Sequence, residues 1–157
     1  SKVLKNLFAS EGIWRSIEKE KTVGVIRRDE QQGVIEIAAP IGVVCGVVPT
    51  TNPTSTAIGK ALLAVKGRNS IVISPHPRAK RCIFETVEVL RRALERAGAP
   101  ADLVQCLRQP TQESTQALME HPDMKLILAT GGSGLVKAAY SSGKPAYGVG
   151  PGNVPVY

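Results

Sequence analysis

The sequence is poor in aromatic residues: one Trp, three Tyr and two Phe in 157 residues. A base-stacking platform for single-stranded nucleic acid needs such rings, so that class of partner is disfavoured. Long hydrophobic runs are also missing. The unbroken apolar stretches are short and strand-like, as in Val43-Val44-Cys45, far below the roughly 20 residues of a membrane span. No basic start followed by an apolar core marks a signal peptide. These absences predict a soluble, cytoplasmic chain with no membrane contact. Cys45, Cys82 and Cys106 stand apart, with no CxxC spacing. An odd, unpaired set fits a reducing compartment better than a disulfide framework, and no metal site is expected.

What is present has the balance of a globular domain, 43% hydrophobic and 21% charged. The length is one domain's worth and can bury a core. Lys plus Arg is 20 against 13 Asp plus Glu, a formal charge of +7. A positive field attracts nucleic acid, phosphorylated cofactors or acidic surfaces. Solvated helix faces explain the same charge more plainly.

The first 21 residues read as an amphipathic helix. Val3, Leu4, Leu7 and Phe8 form an apolar patch, continued by Trp14 and Ile17 after a break at Gly12. Such a stripe needs a partner, in this chain or in another subunit. Residues 22–40 read as an accessory hairpin: two β-branched runs, 22–26 and 34–37, flank a polar turn.

From residue 41 the chain alternates. Ile41 to Val48 is apolar on both faces, as in a strand buried inside a parallel sheet. Asn52-Pro53 signals a helix start, and Gly67 its stop. Strands follow at 70–73, 103–107, 124–129 and 145–149. Helices are expected at about 78–97, 111–120 and 135–140. Ile83, Val87, Leu90, Leu94 and Ala97 give the longest of these one inward face. This rhythm predicts an α/β fold: a Rossmann-like open parallel sheet over 41–157 with helices on both faces, joined to the helix and the hairpin. The last residues, 151–157, give no closing signal, which hints at a piece of a longer polypeptide.

In open parallel sheets, ligands bind at the carboxyl ends of the strands. Three loops there hold unusual residues: Pro49-Thr50-Thr51-Asn52-Pro53-Thr54, Ser74-Pro75-His76-Pro77 and Thr130-Gly131-Gly132-Ser133-Gly134. Glycines before a helix let a phosphate approach free N–H groups, but a flexible turn explains them equally well. The Asn52 amide could serve a developing oxyanion, although from the residues alone a helix cap is the commoner use. His76 stands between two prolines and could touch a ribose or a phosphate. None of the cysteines has an adjacent base to make it a nucleophile.

The runs VPTTNPTSTAIGKALLA (48–64), SPHPRAK (74–80), LILATGGSGLVKAAYSSGKPA (126–146) and GVGPGNVPV (148–156) resemble the coenzyme-A-acylating aldehyde dehydrogenases. The likeness is greatest to the aldehyde dehydrogenase half of bifunctional aldehyde-alcohol dehydrogenases. It implies an oxidoreductase in which a cysteine thiolate attacks the aldehyde, hydride passes to NAD, and coenzyme A takes the acyl group. By this likeness Asn52 is the oxyanion-stabilising amide. Gly131, Gly132 and Ser133 face the cofactor pyrophosphate, and Ser74, Pro75 and His76 lie near its adenosine. Thr50 and Thr51 join the cofactor set. Hydrolytic relatives carry a Lys in place of Ser74 and a catalytic Glu in place of Gly148. Without that base, transfer to a thiol is the plausible outlet.

The family's nucleophilic cysteine lies downstream of GVGPGNVPV, and Cys45, Cys82 and Cys106 do not match it. The expectation is a cofactor-domain fragment without turnover of its own, from a homo-oligomeric enzyme acting on a small aldehyde and coenzyme A. NAD against NADP stays open, since no acidic residue near 74–76 claims a ribose hydroxyl. A non-catalytic nucleotide-binding or subunit-interaction module is the alternative reading, and nucleic-acid binding driven by the charge is a third.

Overall fold

The computed structural model describes residues 2–152. Its elements are α1 (Lys2–Ile17), β1 (Gly24–Asp29), β2 (Val34–Ala38), β3 (Val43–Val48), α2 (Pro53–Lys66), β4 (Ser70–Pro75), α3 (Lys80–Arg96), β5 (Val104–Cys106), α4 (Gln112–Glu120), β6 (Met124–Thr130), α5 (Ser133–Tyr140) and β7 (Ala146–Val149). β1 and β2 pair antiparallel. The other five strands form one parallel sheet in the order β5-β4-β3-β6-β7. The α/β architecture with its added helix and hairpin is therefore as expected.

The period-2 pattern explains how the sheet is covered on both sides. Val44 and Val48 of β3, with Ile71 and Ile73 of β4, pack against Ala57, Ala61 and Ala64 of α2 and Ile83 and Val87 of α3. Cys45 and Val47 of β3, with Ile127 and Ala129 of β6, pack on the opposite face against Met119 of α4 and Ala139 of α5. Burial on both faces is why β3 reads as a continuous apolar run. The strand order reverses between β3 and β6: the chain leaves β3 toward β4 and leaves β6 toward β7.

Two local expectations need correcting. Helix α1 runs unbroken through Gly12, which meets no atom within 4 Å of where a Cβ would stand. Only part of its apolar stripe is covered: Ile13 packs against Gly59 of α2, while Val3, Leu7, Phe8 and Trp14 stay exposed. Ala97 is an exposed C-cap, not part of the inward face of α3. The turn is completed by Gly98, at φ 73°, with Ala99 N donating to Leu94 O at 2.9 Å. Gly67 is the C-cap of α2, as expected, and the left-handed residue that follows it is Arg68, at φ 60°.

Asn69 ties the hairpin to the sheet. Its Oδ1 accepts from Ile41 N and Gly42 N at 2.7 and 2.9 Å, which fixes the entry into β3.

Candidate functional site

A cavity of about 780 Å³ opens at the carboxyl ends of the strands. Its floor is Val47 and Val48, where β3 ends beside β6. Pro49, Thr50 and Thr51 form one wall, and Thr130, Gly131 and Gly132 the facing one. Pro75, His76 and Pro77 close the β4 side. Thr111, Gln112, Thr115 and Gln116 of the α4 region face Leu135 and Ala138 of α5, leaving a slot with polar and apolar walls. The position follows from topology, because the connections diverge where the strand order reverses and leave a crevice.

Six of the nine singled-out residues therefore line one cavity: Thr50, Thr51, Pro75, His76, Gly131 and Gly132. Ser74 does not. It alternates with Ile73 on β4, is only 1% exposed, and shares a 2.8 Å hydrogen bond between its hydroxyl and that of Thr115. It joins β4 to α4 beneath the cavity. Ser133 is the first residue of α5 and is exposed outside the lining. Asn52 is half-buried, next in sequence to the lining residue Thr51. It holds the N-cap position of α2, yet its side chain makes no cap hydrogen bond; only its carbonyl is used, by Thr56 N at 3.1 Å. The cap reading of the side chain therefore fails.

The glycine loop divides its work. A Cβ on Gly131 would sit 2.6 Å from Leu135 Cδ2, so the loop packs on its own helix there. Gly131 N also donates to Val149 O at 3.1 Å, linking the loop to β7. At Gly132 a Cβ would meet no protein atom within 4 Å, although the residue lines the cavity. Its φ of −68° and ψ of 163° suit any residue. The space that a side chain would occupy there is free of protein atoms. Behind it stands the amino end of α5, whose first-turn N–H groups have no intrahelical acceptor. An anionic group can lie against that end without meeting a side chain.

His76 is oriented by its own backbone. Nδ1 accepts from Arg78 N at 3.1 Å, which leaves Nε2 as the donor in the neutral ring. Another link, His76 N to Val48 O at 3.0 Å, pins this loop to the end of β3.

No cysteine lines the cavity. Burial pushes the Cys45 thiol up to about 12 and the Cys106 thiol up to about 11, the latter aided by Glu88. Cys82 is exposed on α3, 3.3 Å from Thr54 Oγ1. Among the described residues, no group of three His, Cys, Asp or Glu could hold a metal ion. Nor is any helix among them long and apolar enough to cross a membrane.

One residue escaped the sequence reading. Lys60 lies on the inward stripe of α2 with Ala57, Ala61 and Ala64, and only 8% of it is exposed. Its Nζ donates to Val47 O and to Leu128 O, both at 2.5 Å. Burial pulls its pKa down to about 7, a fall that the neighbouring Cys45 only partly offsets. The available signal was its helical spacing, which places a lysine among alanines that face the core.

The aldehyde dehydrogenase family model matches residues 4–146. The chain is 58% identical over 155 residues to the bifunctional aldehyde-alcohol dehydrogenase AdhE of Escherichia coli K12, covering 99% of this chain and 17% of that protein. It is 46% identical over 152 residues to the acetylating succinate-semialdehyde dehydrogenase of Clostridium kluyveri, covering 97% of this chain and 33% of that protein. Among solved structures, an acetylating aldehyde dehydrogenase from Geobacillus thermoglucosidasius superposes with a TM-score of 0.93 at 62% identity, covering 97% of this chain and 34% of that one. The chain thus spans between about a sixth and a third of the length of these relatives. Its sheet order, its loops and these likenesses agree: the chain belongs to the aldehyde dehydrogenase family, on the side of the acylating members.

Proposed function

We propose that this chain is the cofactor-binding part of an NAD-dependent acylating aldehyde dehydrogenase. The whole enzyme converts an aldehyde, coenzyme A and NAD to an acyl-CoA and NADH. The observation that carries this reading is the cavity at the β3–β6 reversal, with Gly132 leaving open the space before the amino end of α5. Residues 41–157 act as the nucleotide-binding unit, while 1–21 and 22–40 are accessory elements of a homo-oligomeric, cytoplasmic enzyme.

The residues fit a dinucleotide. Gly131 and Gly132 admit the pyrophosphate to the α5 end. His76 Nε2 and the polar edge formed by Gln112 and Gln116 suit the adenosine half, with Leu135 and Ala138 as an apolar wall. Thr50 and Thr51 bound the other half, and the uncommitted Asn52 amide serves as the oxyanion donor beside it. When bound, NAD supplies the hydride acceptor. The protein's part here is to hold it and to orient Asn52; one such donor is worth ~3 kcal/mol of barrier.

The thiols of this chain do not supply the nucleophile. Cys45 and Cys106 are held protonated by burial, and Cys82 lies outside the cavity lining. Gly148 also leaves no carboxylate to activate water. The test is NADH formation by the full-length enzyme with an aldehyde and NAD, with and without coenzyme A. Turnover that requires coenzyme A supports the reading, as does no turnover by the 157-residue chain alone. Equal rates without coenzyme A, or clear NADH production by the isolated chain, overturn it.

A further inference from the structure

Lys60 is the only charged side chain that the fold buries among the described residues. Burying an ammonium is costly, and a Leu or Met would fill the same stripe without that cost. Its neighbours Ala57, Ala61 and Ala64 are small and fully covered, so α2 lies close against the sheet. The lysine then reaches the main chain of the central strand β3 and of its neighbour β6. Both acceptors, Val47 O and Leu128 O, are carbonyls, and they belong to different strands.

The position of this link in the ladder matters. Gly46 pairs with Leu128 and Val47 with Ala129, the last pair before β3 and β6 part. Beyond it, β3 feeds the Thr50–Thr51 loop and β6 feeds the Gly131–Gly132 loop. The same ladder is irregular at its other end, between Val43 and Val44, where the register shifts. The regular ladder therefore holds only the stretch between that shift and the Lys60 link. Lys66, on the same helix, makes a contrast: its Nζ donates to Glu18 O at 2.8 Å on the exposed side.

We propose that Lys60 is a positioning residue: by tying Val47 to Leu128 it sets the spacing between the Thr50–Thr51 and Gly131–Gly132 loops, and with it the affinity of the site for the dinucleotide. The assignment rests on the cofactor reading above. It does not require Lys60 to touch the cofactor, and Lys60 does not line the cavity.

The test uses the full-length enzyme with Lys60→Met, which keeps the stem and removes the donors. Lys60→Gln keeps N–H donors one methylene shorter, and Lys66→Met is the control. NAD titration and steady-state kinetics are read beside thermal unfolding. Lys60→Met should raise the NAD dissociation constant and the KM for NAD by at least about tenfold, with kcat at saturating NAD within about threefold and folding retained. Lys60→Gln should recover part of the affinity, and Lys66→Met should match the wild type. A folded Lys60→Met enzyme that binds NAD like the wild type overturns the proposal alone. So does loss of kcat without change in KM, or loss of folding in both Lys60 variants. A wild-type enzyme that takes up no NAD overturns the cofactor reading and this proposal together.

Discussion

Gly148 N donates a hydrogen bond to the Tyr140 hydroxyl at 3.0 Å. The contact brings β7 against α5 so closely that a Cβ on Gly148 would lie 2.5 Å from Val136 Cγ1 and 2.9 Å from Tyr140 Cε2. The position at which the hydrolytic relatives are expected to hold a glutamate has no room here for even a methyl group.

Gly148→Ala should therefore destabilise the chain by about 1–3 kcal/mol through overpacking, and Gly148→Glu by more. Thermal unfolding checks the first. The second should gain no coenzyme-A-independent turnover in the full-length enzyme, because its carboxylate cannot enter without displacing α5. An unchanged unfolding temperature for Gly148→Ala would show that Val136 and Tyr140 give way.

The two glycines of the α5 loop should respond in opposite ways. Gly132→Val adds a side chain at the cavity lining, against no protein atom, so stability should stay within about 0.5 kcal/mol while NAD affinity falls more than about tenfold. Gly131→Val strikes Leu135 and should lower stability first. Unfolding curves and NAD titrations on both variants separate the cases. Equal affinity for Gly132→Val and the wild type would remove the ligand from this loop.

Lys60 should leave a signature in the dependence of stability on pH. Its pKa falls from 10.5 in the unfolded chain to about 7 in the fold. Between those values the unfolded chain binds a proton that the folded chain does not, so folding gains stability as pH rises. Below about 7 the buried charge imposes its full cost. Relative to Lys60→Met, the wild type should become more stable from pH 7 toward 10, with a slope of up to about 1.4 kcal/mol per unit. The raised Cys45 thiol works in the other direction at the alkaline end, and it is present in both proteins. Denaturant unfolding at several pH values reads the difference, and a difference that does not vary with pH contradicts the assignment.

Arg68 holds φ at 60° without being glycine. Arg68→Gly should stabilise the chain by about 1 kcal/mol, since the left-handed conformation is strained for a residue with a Cβ. Gly67→Ala should do the reverse, as its Cβ would sit 2.7 Å from Asn69 Nδ2, the residue that staples the hairpin to β3. Unfolding free energies of the two variants test the pair, and a destabilised Arg68→Gly would contradict it.

The order and type of the elements could be read from the sequence because local patterns agree with the fold. The run from Val43 to Val48 is apolar on both sides because helices cover both faces, and Ile83, Val87, Leu90 and Leu94 repeat at helical spacing because one side of α3 meets the sheet. Side-chain direction at a few sites could not be read that way. Ser74 lies in a candidate loop sequence, but strand alternation turns it onto Thr115. Asn52 looks like a cap, yet its amide does not bond the helix end, which depends on the path of the loop in space. Gly67 stops α2 as its residue type suggests, but nothing in the residue type of Arg68 shows that the left-handed turn falls there. Lys60 was missed because residue type suggested solvent, while its position on the helix placed it among Ala57, Ala61 and Ala64.

Calorimetric titration of NAD into the 157-residue chain, with Gly132→Val alongside, examines the cavity itself. One molecule of NAD bound per wild-type chain, and heat lost or strongly weakened in the variant, is the expected result. No saturable heat with the folded wild-type chain, or binding that the added side chain leaves untouched, would contradict it.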